Sequence, residues 1–292
     1  MKILTIQTNY GRKYLSNKEI FDFLINSKKI FKFVEVGWGE NPTENPYFSK
    51  IIQVFSRLNL PFTIVTNGDS LKDRVATLDS YELRNSCFSI FLHGKNEKTI
   101  KKITGKDTMT EVLESIEYIR KMNIPVDIIM PINRINHRQV EDVFDLSLHY
   151  DCRNFIPIEE FPNKDKNMIL TDRMKFRVID SINSLLATGK IIKTIQFHPV
   201  EANCSYFRKE RIFIDAKGRL SYCHFLSYLE NTSLYDNALS ACKDKCIIEI
   251  NNKLRDKFLE EKSKEISTWK KPRKFSSPCS YCLSKFVKNI KW

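Results

Sequence analysis

Strand-like apolar runs and amphipathic helices alternate through the first two thirds of this chain, and that alternation restricts its fold more than any other feature. Lys2–Gln7 reads as a strand, followed by a polar turn at Gly11. Ser16-Asn-Lys-Glu19 has the spacing of a capping box for a helix burying Ile20, Phe21, Phe23 and Leu24. Phe31–Val36 is a second strand, and the helix after Asn-Pro-Tyr-Phe carries Ile51, Ile52, Phe55 and Leu58 on one face. Phe62–Val65, Cys87–Leu92, Val126–Met130 and Phe155–Ile158 continue the strands. Between them, Thr108 with Glu111 predicts a capped helix through Val112, Leu113, Ile116 and Ile119. Asn136 is placed to cap a helix carrying Val140, Val143, Phe144 and Leu148, and residues 170–188 form a last one. Six strand–helix units with short connections imply an α/β fold with a parallel sheet, because each crossover must lie on a face of the sheet. Periodicity alone leaves a partial barrel and an open doubly wound sheet equally open.

Both architectures put ligands at the carboxyl ends of the strands. Gly37–Glu40, Thr66–Gly68, Ser89–Gly94, Asn133 and Glu159–Glu160 all lie at or near such ends. Taken singly, each is also ordinary turn chemistry, since Gly and Asn accept positive φ cheaply.

Near residue 191 the pattern changes. Ile191–Gln196 suggests one further strand, and residues 247–267 suggest a charged helix. Arg211–Tyr222 reads as a two-stranded ribbon turning at Ala216-Lys217-Gly218, with Cys204 and Cys223 on its flanks. Cys279-Ser-Tyr-Cys282 adds a short chelate that can turn two thiolates onto one ion or cluster. A hairpin plus a CxxC favours a metal centre over four buried thiols packing as small hydrophobes. Cys242 and Cys246, spaced for one helical face, stand as a further candidate pair, and Cys87 and Cys152 read as core residues. His224 beside Cys223 is an alternative ligand; no acid–base role follows for His93 or His198.

Composition narrows the classes. Apolar residues make up 42% and charged residues 28%, as expected of a soluble protein with a real core. No apolar run is long enough to span a bilayer, and the first residues lack a signal-peptide pattern. The cytoplasm is therefore the expected location, and eight cysteines in a reducing compartment point to metal before disulfides. The formal charge of +13 suits an acidic peptide partner. Specific nucleic-acid binding is disfavoured, because no basic run is interleaved with aromatics.

In order and spacing, these stretches resemble the radical S-adenosylmethionine (SAM) enzymes that carry a C-terminal SPASM or shorter twitch domain. Phe33–Ile52 resembles the surroundings of that family's Gly-Gly-Glu-Pro motif, and Leu60–Gly68 resembles its third strand with a Thr-Asn-Gly end. Ser89-Ile-Phe-Leu-His-Gly94 and Asn123-Ile-Pro-Val126 are similarly spaced. Cys204, thirteen residues, Gly218, four residues and Cys223 match the opening of the SPASM pattern. The resemblance implies a partial (β/α)6 barrel over residues 1–190 and a small Cys-rich SPASM/twitch-like domain over 191–292. It implies contacts to SAM from Gly39, Glu40, Thr66, Asn67 and Ser89, and one auxiliary 4Fe–4S cluster on Cys204, Cys223, Cys279 and Cys282, with zinc as the alternative metal.

The chain departs from the family at the front. The catalytic cluster of the family sits on CxxxCxxC just after the first strand, and the matching positions here are Thr8, Arg12 and Leu15. None is a thiolate able to hold iron–sulfur. Trp38 and Asn41 alter the Gly-Gly-Glu-Pro position, and no cysteine follows Cys282, so the tail has ligands for a single cluster. The expectation is a degenerate relative that serves peptide or protein modification as a partner or peptide-binding pseudoenzyme, with an intact radical SAM enzyme as a candidate partner. Two alternatives stay open: an active peptide-modifying enzyme with unconventional cofactor binding, and a zinc-stapled scaffold without catalysis.

Overall fold

The structure, a computed structural model, describes residues 2–10, 13–27, 30–38, 40–160, 166–187 and 210–221, with short pieces at 233–235, 252–253 and 256. Its strands are β1 (Lys2–Ile6), β2 (Asn9–Tyr10), β3 (Lys13–Tyr14), β4 (Phe31–Val36), β5 (Phe62–Thr66), β6 (Ser86–Phe91), β7 (Val126–Ile132), β8 (Asn154–Glu159), β9 (Arg211–Ile214), β10 (Leu220–Ser221) and β11 (Ser233–Tyr235). Its helices are α1 (Asn17–Ser27), α2 (Phe48–Arg57), α3 (Leu71–Val75), α4 (Ser80–Leu83), α5 (Glu97–Thr104), α6 (Met109–Lys121), α7 (Val140–His149) and α8 (Asp172–Ala187). All six strands expected before residue 160 are present, each within a few residues of its expected span. The expected strand at 191–196, most of the helix at 247–267 and Cys204, Cys223, Cys242, Cys246, Cys279 and Cys282 lie outside the described residues.

The chain divides into two compact units. The first gathers the described residues up to Ile64, Leu78–Asn85 and those between Val200 and Lys288. Its strands run β11-β10-β9-β1-β4-β5, with β1 parallel to both β4 and β9. The ribbon expected near Gly218 is therefore real, and β9 extends the sheet beside β1. Asp215 shapes its turn: Oδ1 accepts the Lys217 and Arg219 N–H groups, both at 2.9 Å. Gly218 turns the chain at φ 74°. Large aromatic side chains fill the core of this unit, with the Phe55 and Phe62 rings 5.2 Å apart and Phe23 against Phe31.

The expected cap at Ser16 forms. Ser16 N–H donates to Glu19 Oε2 at 2.8 Å, and Glu19 N–H donates back to Ser16 Oγ at 3.3 Å. Phe21 is only half-buried, because it falls between the inward positions Ile20, Phe23 and Leu24.

The second unit gathers Val65–Thr77, the described residues from Ser86 to Pro199, and so the parallel strands β6-β7-β8. β7 is buried along its whole length, as a central parallel strand must be. Two capping expectations fail here. Thr108 precedes α6 without a side-chain cap, and α7 starts after Gln139, leaving Asn136 in the preceding loop. Val140, Val143 and Phe144 are buried as expected, but Leu148 is exposed while Ser147 turns inward, one residue or about 100° from the expected position. The short, lysine-rich α5 has too few apolar positions to announce itself, yet Asn96 caps it by accepting Thr99 N–H at 3.0 Å.

Gly68 shows why the turn after β5 needs glycine. It sits at φ 84°, and a Cβ there would lie 2.8 Å from Ile90 Cγ2 and 3.3 Å from Val112. Its carbonyl accepts the Ser115 hydroxyl of α6 at 2.9 Å, which fixes the approach. Gly68→Ala is expected to cost about 1–3 kcal/mol, combining left-handed strain with overpacking, as read by the midpoint of thermal or urea unfolding.

Candidate functional site

The segment matching the family's cluster loop is built in the first unit. β2 and β3 pair as a tight antiparallel ribbon, Asn9 with Tyr14 and Tyr10 with Lys13. Leu15 N–H closes the ribbon by donating to Thr8 O at 2.8 Å. Asn45 Nδ2 then bridges the carbonyls of Thr8 and Leu15 at 2.9 and 3.2 Å. Thr8 and Leu15 are both buried. Glu40 completes the arrangement: Oε1 accepts Thr8 N–H at 2.5 Å and Thr8 Oγ1–H at 3.0 Å, and Oε2 accepts Asn9 N–H. Burial pushes the Glu40 carboxyl up to about 8, against the opposing pull of those donors. Asn9 Nδ2 also donates to Asn41 O at 3.2 Å, so Asn41 contributes its backbone where the family has proline.

Trp38, the bulky residue in the same stretch, has a structural role. Its Nε1–H donates to Glu35 Oε2 at 3.1 Å. That carboxylate also receives the Arg211 guanidinium of β9 and Thr5 Oγ1 of β1. Glu35 thus ties three neighbouring strands of the first unit.

The other candidates belong to the second unit. Thr66 is buried and its Oγ1 accepts Gly68 N–H at 3.2 Å, whereas Asn67 is exposed. Ser89 is buried and in register with Asp127, its Oγ 3.4 Å from Asp127 Oδ2. Asp127 collects further donors: Arg153 Nε at 2.9 Å and Nη2 at 2.6 Å, and Asn154 Nδ2 at 2.5 Å. Cys87 Sγ lies 3.4 Å from the same carboxylate and 3.0 Å from Arg153 Nη2, so this core thiol sits in a polar knot. An aspartate inside an apolar strand must find partners, but no local pattern in the sequence says which. Burial pushes the Cys152 thiol up to about 12, which keeps it protonated and unreactive. Gly39, Arg12 and the four tail cysteines lie outside the described residues. Among the described residues, no group of three or more His, Cys, Asp or Glu side chains could hold a metal ion.

Comparison with known proteins decides the relationship of this architecture. Residues 5–147 match the model of the Radical SAM superfamily. The chain carries a radical SAM superfamily domain. A protein named "Probable GTP 3',8-cyclase" from Saccharolobus solfataricus is 28% identical over 195 residues, covering 65% of this chain and 62% of that one. A protein of the same name from Saccharolobus islandicus is 27% identical over the same span. The chain thus spans about three fifths of the length of the curated relatives it matches. Streptococcus suis SuiB bound to S-adenosylmethionine superposes with a TM-score of 0.69 at 12% identity, over 88% of this chain and 67% of that one. The structure titled "Native anSMEcpe with bound AdoMet" gives 0.63 at 13% identity, over 87% and 83%. At such identities the likeness speaks for the fold alone, an α/β arrangement of parallel strands.

A radical SAM domain implies a catalytic 4Fe–4S cluster after the first strand, and the residues there do not fit one. Thr8 offers a hydroxyl already engaged with Glu40, and Leu15 offers a buried hydrocarbon. The described backbone between them is paired with itself, Asn9 with Tyr14, Tyr10 with Lys13 and Leu15 N–H with Thr8 O. An iron–sulfur cluster needs soft thiolate ligands, and this donor set supplies none.

Proposed function

We propose that this protein is a radical SAM family pseudoenzyme that binds a peptide or protein partner in the cytoplasm and carries one auxiliary 4Fe–4S cluster in its tail. The observation that carries the reading is the closed β2–β3 ribbon, in which Glu40 and Asn45 knit together the positions that hold the catalytic cluster elsewhere in the family. With no cluster there, no iron is present to chelate SAM or to deliver the electron that cleaves it. Gly39, Glu40, Thr66, Asn67 and Ser89 remain the residues assigned to any residual SAM pocket. Cys204, Cys223, Cys279 and Cys282 are assigned to the auxiliary cluster within a SPASM/twitch-like domain over residues 191–292, which follows a partial barrel over 1–190.

The peptide partner draws support from a structural neighbour. SuiB bound to its precursor peptide SuiA superposes with a TM-score of 0.67 over 97% of this chain and 69% of that one. The charge of +13 suits an acidic peptide, and an intact radical SAM enzyme is the natural co-worker for a relative without its own catalytic cluster.

Anaerobic reconstitution tests the reading. The expected result is about four irons per chain and a brown chromophore, lost together in a Cys279→Ser/Cys282→Ser variant, with no 5′-deoxyadenosine released from SAM under reductant. Steady 5′-deoxyadenosine release by the purified chain would establish the active-enzyme alternative instead. A colourless protein holding a single tight zinc would establish the scaffold alternative.

A further inference from the structure

The second unit presents a set of polar groups that none of these roles uses, at the carboxyl ends of β6, β7 and β8. Register places them on one face. Ser89, Asp127 and Asn154 align across the three strands, as do Phe91, Ile129 and Ile156 two residues later. The alternation continues past the strand ends, since Leu92 N–H still donates to Ile129 O and Glu160 N–H to Ile132 O, both at 2.9 Å. His93, Asn133 and Glu160 therefore follow on the same face, and the His93 ring stacks 6.2 Å from that of Phe91. The opposite face is the one the helices cover. Ile90 faces Gly68 and Val112 of α6, and Phe155 meets Phe144 of α7 at 5.7 Å.

The bracket that holds these groups is rigid. Asn136 Oδ1 accepts Asn133 N–H at 2.7 Å, and its Nδ2 donates to His93 O at 2.8 Å and Pro131 O at 2.7 Å. Asn133 Oδ1 accepts Ile135 N–H at 2.8 Å, which leaves its Nδ2 aimed at Glu160 Oε2, 2.5 Å away. Two buried asparagines thus use nearly all their valences to fix the places of His93 and Glu160.

What they fix is unsatisfied in one sense. Part of His93 reaches solvent, yet its Nδ1 is sealed and meets no hydrogen-bond partner among the described residues. Burial holds its pKa down to about 4, so the ring is neutral, and with the proton on the sealed Nδ1 the other nitrogen, Nε2, is the one that can accept an N–H from a ligand. Burial raises the Glu160 pKa, opposed only by the Asn133 hydrogen bond. The adjacent Glu159, by contrast, is paired with Lys175 at 3.0 Å, both side chains 12% exposed. The nearby arginines 134, 138 and 177 act on His137 instead. Among the described residues, the half-buried Glu160 carboxyl and the neutral His93 imidazole, on the two strands that flank β7, make a pair of acceptors with no cation paired to either.

We propose that His93, Asn133 and Glu160 form a subsite for one organic cation bearing N–H donors, the ammonium or guanidinium head of a basic side chain on a bound peptide. Glu160 supplies the charge, His93 a second acceptor, and Asn133 is a positioning residue that aims the carboxylate. The inference deepens the peptide-partner reading above, whereas the iron count and the 5′-deoxyadenosine assay decide that reading without reference to this subsite.

The probes are Nα-acetyl-lysine methylamide and Nα-acetyl-arginine methylamide, titrated at millimolar concentration into the full chain, with Nα-acetyl-norleucine methylamide as the uncharged control. The expected result is a saturable shift of the His93 ring resonances by at least one cationic probe and none by the control. Glu160→Gln is expected to weaken that binding at least tenfold, and Glu160→Asp, which keeps the charge, by only a few-fold. Should Glu160→Gln unfold, comparison of Glu160→Asp with His93→Phe by isothermal calorimetry with the same probes serves instead, the second losing the acceptor and at least fivefold in affinity. Equal binding by the norleucine probe, undiminished binding by Glu160→Gln, or no shift from either cationic probe would each overturn the proposal.

Discussion

Asp127→Ala is expected to destabilise the protein by about 3 kcal/mol, more than most truncations outside the apolar core. Removing one partner of a buried ion pair costs about 3–5 kcal/mol, because the other charge is left uncompensated. The Asp127 side chain is 6% exposed but that of Arg153 is 43% exposed, so the abandoned guanidinium can recover water and the loss falls at the low end. Asn154 and Ser89 have no such escape. Both are buried, and both direct a donor at the missing carboxylate. Arg153→Ala leaves Asp127 with Asn154 and Ser89 as donors but no countercharge, and is expected to cost about as much, since the group it strands is the buried one. Asp127→Asn keeps the shape yet turns a donor toward Arg153, and should fall between alanine and wild type. Urea unfolding of the three variants checks the order. A loss below about 1 kcal/mol for Asp127→Ala would show that this knot does not hold the three strands.

That knot also marks where sequence reading stops. Alternation of apolar runs located each of the six strands, because a buried parallel strand must be apolar on both faces and the spacing of turns is then forced. Asp127 and Arg153 belonged to no motif, since their link runs through space between β7 and the residue before β8, with nothing local to record it. The Asn136 cap failed for a related reason: the residue type suits a cap, but its side chain is taken by tertiary partners at His93 and Pro131, and α7 starts only after Gln139. The loss of the cluster ligands at Thr8, Arg12 and Leu15 was legible residue by residue. That the loop would shorten into a ribbon clasped by Glu40 was not, because Glu40 lies more than thirty positions away and its spacing also suits a contact to SAM.

Glu40 gives the sharper test, because its effect should change with pH. With a folded pKa of about 8 against an ordinary 4.5, the folded state keeps a proton that the unfolded state has released. The associated stability is therefore fully present below about pH 4.5 and is lost as pH rises toward 8. Glu40→Gln resembles the protonated side chain and cannot titrate. Its unfolding free energy relative to wild type should thus move in favour of glutamine between pH 5 and 8, by at most about 1.4 kcal/mol per pH unit. Other titrating groups are common to both proteins and cancel in the difference. Glu40→Ala should behave differently: it strands two backbone N–H groups and the Thr8 hydroxyl, at a cost of about 1–3 kcal/mol for each buried donor left dry. Water entering the vacated space would reduce that sum, so a loss of about 2–4 kcal/mol at pH 5 is expected. Denaturant titrations at pH 5, 6.5 and 8 separate the contributions. Parallel curves for wild type and Glu40→Gln would mean that Glu40 stays ionised and that its three donors outweigh burial. A near-neutral Glu40→Ala would mean that the ribbon is held by Asn45 and its own backbone, with the carboxylate free to turn toward a ligand.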